Sequence, residues 1–350
     1  MSSTTDLVPL FKRELELCKV EAGETVGIYM EGGRLREYAD AFAVAAGDLG
    51  AAVFVVDLPQ SSGRGSDEAG IPVAGAGLAR HPEVVDAFKR SDMLIDLTLL
   101  LWTPEKHQIQ EAGTRILSCI EPVDVLRRLF PTQDHRRRAE ESEALVRAAS
   151  ELRVTNESGS DLLYELGQMK PFCQYGYTDE PGRWDHFASN HVVHAANEGG
   201  VNGTLVLQPG DALTAFGRYI EEPVHLSISD GFVRKIDGGF DAWLIESYIA
   251  KFDDERAAAV SHIGWGLNEN ARWDAHAIGQ GGIGMDARAW IGNVMFSIGP
   301  NTEFGGTNDT TCHIDIPMWQ CSLELDGEPI VERGRIVKES LLPAATTAVV

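Results

Sequence analysis

The strongest constraint on the fold is a change of texture near residue 155. Upstream of it, short apolar runs alternate with amphipathic stretches. "TVGIYM" (25–30), "AAVFVVDLP" (51–59), "DMLIDLTLLL" (92–101) and "RILSCIEP" (115–122) read as strands. "LREYADAFAVAAGDLG" (35–50) and "PEKHQIQEAG" (104–113) read as helices ending at Gly50 and Gly113, and helical text runs from Val123 to about Leu152. Strands alternating with helices predict a parallel or mostly parallel α/β sheet. Downstream, "GTLVLQPGDAL" (203–213), "EPVHLSISDGFVRKIDGG" (222–239) and "CSLELDGEPIVERGRI" (321–336) read as hairpins, the last two with DG at the turn. "AWLIESYIAKFDDERAAAVS" (242–261) is a helical interlude. The expectation is an α/β protein in two parts. An N-terminal, mostly parallel α/β domain (1–155) packs on a C-terminal α+β domain (156–350) with a mixed or antiparallel sheet, and the active site lies where they meet.

Charge and composition remove several functions. A formal net charge of −23 disfavours nucleic acid as a partner, because phosphate contacts need clustered Lys and Arg. The one basic cluster, "DHRRRAEE" (134–141), is interleaved with acids and suits a solvated helix face or a subunit contact. No apolar run approaches the roughly 18–20 residues of a membrane span, and the first residues lack a signal-peptide core. Five scattered cysteines without a CxxC pair point to reduced thiols. A cytoplasmic protein with neither membrane nor nucleic-acid partner is expected.

The histidines concentrate the chemistry. Seven of the ten lie between residues 186 and 313. In "TCHIDIP" (311–317), His313 and Asp315 are two residues apart, which on a strand places both on one face. Such a pair serves equally as a charge-assisted hydrogen bond or as two arms of a metal site. His262 opens "HIGWGLN", whose glycines allow close backbone approach, and "FSIGPNTEFGGTNDTT" (296–311) is a loop suited to lining a site. Two histidines and a carboxylate can hold Fe(II) with positions open for substrate and oxygen. The same donors also suit a zinc hydrolase.

"TDEPGRWDHF" (178–187), "SHIGWGLN" (261–268), "MDARAWIGNVMFSIGPNTEFGG" (285–306) and "TCHIDIP" (311–317) together resemble the 2,5-dihydroxypyridine 5,6-dioxygenase family. The likeness also takes in "GTRIL" (113–117) and "ESGSDL" (157–162). The resemblance implies one non-haem Fe(2+) held by His262, His313 and Asp315. It further implies ring cleavage of a dihydroxypyridine by O2, of the type that gives N-formylmaleamate, in a homo-oligomer. His186 matches a pocket histidine of the family and is the expected base toward the ring hydroxyls. Ser297 matches a pocket position too, although a small residue packed on a strand explains it equally well.

The family shares its superfamily with thermophilic-type metallo-aminopeptidases, which implies an alternative activity. Compared with those peptidases, this chain has His262, Met295 and His191 where metal ligands are expected, and a thioether is a poor ligand for hard divalent metals. One metal and a dioxygenase are therefore favoured over a paired-metal peptidase, with a binding protein carrying a vestigial site as a third reading. Three positions depart from the pyridine enzymes: Trp102 in "LLWTPEK", Gln174 in "FCQYGY", and His191 (with His194) in "ASNHVVH". These are expected to contact substrate and to shift preference toward a differently substituted hydroxypyridine or a related hydroxylated aromatic.

Overall fold

The computed structural model describes residues 4–60, 77–101, 103–278 and 283–344. The chain divides into two compact units.

The first unit comprises Met1–Pro131, Tyr175–Ser189 and Gly281–Ile283. Its sheet has five strands in the order Ala52–Leu58, Thr25–Glu31, Met93–Asp96, Arg115–Ser118 and Trp184–His186. Every neighbouring pair is parallel. Met93–Asp96 and Arg115–Ser118 are buried throughout, whereas the edge strand Ala52–Leu58 has no fully buried position. This is the pattern of a parallel sheet whose central strands are covered on both faces. The expected helices form over Arg36–Asp48 and Pro104–Glu111. Helical text after residue 123 divides at Pro131 into Val123–Arg128, which belongs to this unit, and Gln133–Ala148, which belongs to the second.

One strand is shorter than the sequence suggests. "DMLIDLTLLL" is extended only over Met93–Asp96, and the rest is loop. The buried Asp96 carboxylate ends the strand by accepting the Thr98 N–H at 2.8 Å, the Thr98 hydroxyl at 2.7 Å and the Leu100 N–H at 2.7 Å. Ser118 donates to it from the neighbouring strand. Leu99, held inside this turn, takes φ +64°.

The second unit comprises Thr132–Gln174, Asn190–Gln280 and Gly284–Val350. It holds two large antiparallel sheets. The eight-stranded sheet runs Phe232–Gly238, Val224–Ser229, Val201–Leu207, Asp161–Glu165, Glu151–Thr155, Ser322–Leu325, Glu328–Glu332 and Arg335–Ile336. The five-stranded sheet runs Ile314–Met318, Val294–Ile298, Val260–Gly266, His191–His194 and Phe172–Gln174. Two of the expected hairpins form as read, with φ +53° and +76° at Asp230–Gly231 and +48° and +80° at Asp326–Gly327. Positive φ at both central residues matches the right-handed twist of the strands they join.

The third expected hairpin does not form. Val201–Leu207 pairs with Val224–Ser229 on one side and Asp161–Glu165 on the other, so nothing can fold back onto it. Its continuation, Ala212–Leu213, pairs instead with Arg218–Tyr219. Asp211 accepts from the Gln208 N–H at 2.8 Å and the Trp319 N–H at 3.1 Å, which turns the chain away.

Because Asp96 satisfies four buried donors, Asp96→Ala should lower the unfolding free energy by about 1–3 kcal/mol. An unchanged urea midpoint would show that the loop does not depend on this carboxylate.

Candidate metal centre

The five-stranded sheet of the second unit assembles the site through its register. Ser297 lies directly opposite Asp315, so their side chains share a face. On the other side of Ser297 the pairing slips, since Val260 faces Ile298 while Ile263 faces Phe296. Ser261 and His262 thus occupy a bulge opposite Ser297. Counting back from Ile263, His262 falls on the Ser297 and Asp315 face, and bulges are a recurrent means of aiming a side chain into a site. His313 stands one residue before Ile314–Met318, beside Gly299. A Cβ at Gly299, whose φ is +138°, would come within 3.0 Å of His313 Nδ1.

The three side chains converge on one atom. His262 Nε2 lies 3.3 Å, and His313 Nε2 3.2 Å, from the same Asp315 Oδ1. Their potential ligand atoms all fall within 4.8 Å of one another. The second carboxylate oxygen is held elsewhere: Arg288 Nε donates to Asp315 Oδ2 at 2.7 Å, and Arg288 Nη2 to Thr214 Oγ1 at 3.2 Å. The Thr214 hydroxyl in turn donates to the Asp315 carbonyl oxygen at 2.7 Å. Burial pushes the Asp315 carboxyl up, but His313, Arg288 and His262 outweigh it and hold the group well below the usual carboxylate range. Burial pushes His262 down to about 4, against the pull of Asp315. An ionised carboxylate faced by two imidazole nitrogens, with a neutral His262 able to offer a lone pair, is the donor set of a cation site. Two histidines and one carboxylate fit Fe(II).

Arg288 was not among the residues the sequence singled out, nor was Thr214. Their side chains meet across 74 positions of sequence, and neither "MDARAW" nor "DALTAF" has a spacing that announces chemistry. The one available signal was indirect: a buried metal carboxylate needs a partner for its second oxygen. Gly266 lets that partner approach. A Cβ there would sit 2.4 Å from the Trp290 carbonyl oxygen, so only a bare position admits the Ala289–Trp290 backbone that follows Arg288.

The remaining expected residues distribute as follows. Ser297 is buried, and its Oγ has no partner. His191 pairs in register with Gly266 on one side and Gln174 on the other, which puts both on the His262 face. Burial pushes His191 down to about 3, with Asp315 acting against it and His262 and Arg288 with it. His194 is opposite Ile263 and faces the other way. Met295 lies on the site's face opposite Gly264 and Pro317. It joins an apolar cluster with Met169, Val193, Ala195 and Phe304, and the Phe304 ring lies 5.7 Å from that of His262. His186 belongs to the first unit, where it is buried at the end of Trp184–His186 and its N–H donates to Asp185 Oδ1 at 2.8 Å. Trp102 lies outside the described residues.

A sheet-borne cluster of two imidazoles and one ionised carboxylate, beside a thioether and an aromatic wall, is a donor set that could hold one metal ion, as in a metalloenzyme. Comparison with known proteins makes the assignment specific. The family profile described as "NicX: 2,5-dihydroxypyridine 5,6-dioxygenase" matches residues 6–338, and the chain belongs to this family. A 2,5-dihydroxypyridine 5,6-dioxygenase of Pseudomonas putida KT2440 is 38% identical over 340 residues, covering 96% of this chain and 97% of the relative. The solved structure of 2,5-dihydroxypyridine dioxygenase from Pseudomonas putida KT2440 superposes with a TM-score of 0.93 at 37% identity, covering 98% of this chain and all of that one. AmpT from Thermus thermophilus superposes with a TM-score of 0.62 at 16% identity, over 95% of this chain and 100% of its own, a likeness of fold alone.

The buried histidines set a pH dependence. Burial pushes His194, like His262, down to about 4, whereas an unfolded imidazole titrates near about 6.5. Between those values the unfolded chain binds more protons, so stability rises with pH and is lost as pH falls. The melting temperature of metal-free protein should therefore drop progressively from about pH 7 to about pH 4. His194→Gln, remote from the metal face, should make that slope shallower; an unaltered slope would contradict the burial argument.

Proposed function

We propose that this protein cleaves the ring of a dihydroxypyridine with O2, using Fe(II) held by His262, His313 and Asp315. The observation that carries the reading is the convergence of two imidazole Nε2 atoms on one oxygen of an ionised, buried carboxylate. Membership of a dioxygenase family makes the protein an oxidoreductase, and Fe(II) is its cofactor. The substrate type follows from the family: 2,5-dihydroxypyridine plus O2 has the atoms of N-formylmaleamate, so the C5–C6 bond breaks and both oxygen atoms enter the product. Bound at this centre, Fe(II) supplies open coordination positions and the redox chemistry that lets O2 react with the ring.

The chain's own residues do the rest. Arg288 holds Asp315 Oδ2, which helps keep the carboxylate ionised and leaves Oδ1 to face the imidazoles, while Thr214 ties down the Asp315 carbonyl. Ser297 Oγ is proposed to donate to a substrate oxygen; its burial without a partner, opposite Asp315, supports this. Met295, Val193 and Phe304 give the face an apolar wall that disfavours water near the ring. His186 enters as the base that takes a ring-hydroxyl proton; its support is the family resemblance of "RWDHF" together with its burial. Trp102, Gln174 and His191 are proposed to contact substrate.

No described helix is long and apolar enough to cross a membrane. All five cysteines are buried and none is in a disulfide, which supports a reducing, cytoplasmic setting. A homo-oligomer is proposed on family resemblance, and light scattering after size-exclusion chromatography tests it.

Anaerobic loading with Fe(II), followed by 2,5-dihydroxypyridine in an oxygen electrode, should give one O2 consumed per ring lost and N-formylmaleamate by mass spectrometry. No uptake with any dihydroxypyridine would refute the reading. His262→Ala should reduce retained iron to less than about a tenth, whereas Arg288→Met should retain the fold and weaken iron affinity about 10–100-fold. Unchanged iron content in both variants would place the metal elsewhere.

A further inference from the structure

The second unit holds a cavity of about 450 Å³, a size that takes a small molecule. Its aromatic walls are Trp290 and Trp319, and both are anchored on the turn at Gly210. The Trp273 ring meets that of Trp290 edge-on at 5.2 Å, and Trp273 Nε1 donates to the Gly210 carbonyl at 3.0 Å. The Trp319 indole lies against Gly210 itself, since a Cβ there would come within 2.9 Å of its Nε1. The Trp319 N–H also donates to Asp211 Oδ1 at 3.1 Å. A Cβ at Gly334 would overlap the Trp319 carbonyl oxygen, so a bare position is what lets the Arg333–Arg335 turn close on this wall. Leu342, 42% exposed, supplies an aliphatic wall. Arg137, from the basic stretch "DHRRRAEE", holds that segment by donating to the Ser340 carbonyl at 2.6 Å and the Leu342 carbonyl at 3.2 Å.

The charge of this lining is opposite to that of the chain. The protein carries 53 Asp and Glu against 30 Lys and Arg, yet the charged side chains lining the cavity are Arg333 and Arg335, with no acid among them. Arg333 is paired with Glu157 at 2.8 Å. The Arg335 guanidinium has no acidic or hydrogen-bonding partner among the described residues. Two indoles offer flat faces to a ring, and an unpaired guanidinium offers a planar fork that matches a carboxylate. A cation would meet like charge here, and an aliphatic acid would leave the indole faces without a ring to stack on. We propose that this cavity is a second binding site, which takes a small aromatic carboxylate with its ring against Trp290 and Trp319 and its charge on Arg335. The inference goes beyond the dioxygenase reading and does not depend on it, because none of His262, His313, Asp315 and Ser297 lines the cavity.

The test is anaerobic calorimetry on the Fe(II)-loaded protein with three probes: benzoate, benzamide and cyclohexanecarboxylate. Benzoate should bind saturably, at least tenfold more tightly than benzamide, which lacks the charge, and than cyclohexanecarboxylate, which lacks the flat ring. Arg335→Gln should weaken benzoate at least tenfold and remove its advantage over benzamide. Arg335 is exposed and unpaired, so this variant should keep its fold and iron content, read by circular dichroism and metal analysis. Arg335→Lys, which keeps the charge and loses the fork, should recover part of the benzoate affinity. The proposal is overturned if benzoate gives no saturable heat, or if benzamide binds as tightly. Benzoate binding that survives Arg335→Gln would place the acid at the iron instead and also overturn it. Light scattering supplies the last arm: a change of mass in Arg335→Gln would give this face to a second copy of the chain and overturn the ligand site, whereas an unchanged mass with lost benzoate binding supports it.

Discussion

The division of labour between the two oxygens of Asp315 organises the site. One oxygen faces His262 and His313 at 3.3 and 3.2 Å, and the other accepts from Arg288 at 2.7 Å. Burial is the largest single influence on this carboxyl and favours its protonated form; His313 first, then Arg288 and His262, act against it and hold the group well below the usual carboxylate range. A protonated carboxyl is a poor metal ligand, so Arg288 supports the centre through the carboxylate, while Thr214 braces both the Arg288 guanidinium and the Asp315 carbonyl. The cost of gathering these groups is considerable, because a buried ion pair seldom stabilises a fold relative to apolar packing. That expense makes sense as preparation for a cation.

The sheet determines which residues can take part. Antiparallel pairing puts Asp315, Ser297, His262, His191 and Gln174 on one face, contributed by five successive strands. Regular pairing alone would align Ser297 with a single neighbour on the central strand. The bulge gives it two, Ser261 and His262. Ser261 uses its hydroxyl to donate to the Pro300 carbonyl, which ties the bulge to the start of the loop leading to His313. The irregularity in the ladder and the placement of both imidazoles are thus one structural feature.

Much of this was legible in the residues, for reasons that can be named. DG at 230–231 and 326–327 carries its own turn geometry, so those hairpins were readable locally. His313 and Asp315 share a face through a two-residue spacing, and that too is local. What was not legible depends on contacts distant in sequence. "DMLIDLTLLL" is apolar enough for a long strand, yet Asp96 captures Thr98, Leu100 and Ser118 and ends it after four residues. "GTLVLQPGDAL" was misread because the partners of Val201–Leu207 lie at Asp161–Glu165 and Val224–Ser229, outside the stretch itself. Arg288 and Thr214 were invisible for the same reason. Their significance exists only once residues 214, 288 and 315 meet.

The shared fold with a Thermus thermophilus protein at 16% identity does not carry chemistry across, and the site shows why. Among the described residues, the one cluster of potential ligands is His262, His313 and Asp315. The neighbouring position on the same face is Met295, packed with Val193 and Phe304 in an apolar cluster. At that position a second hard cation would meet a thioether and aliphatic and aromatic carbon, which offer it neither charge nor oxygen. A flat aromatic ring gains from that same surface, because it can bury its faces there while its polar edges reach hydrogen-bonding groups. Met295 and its apolar neighbours therefore make this part of the face better suited to a ring than to a second metal.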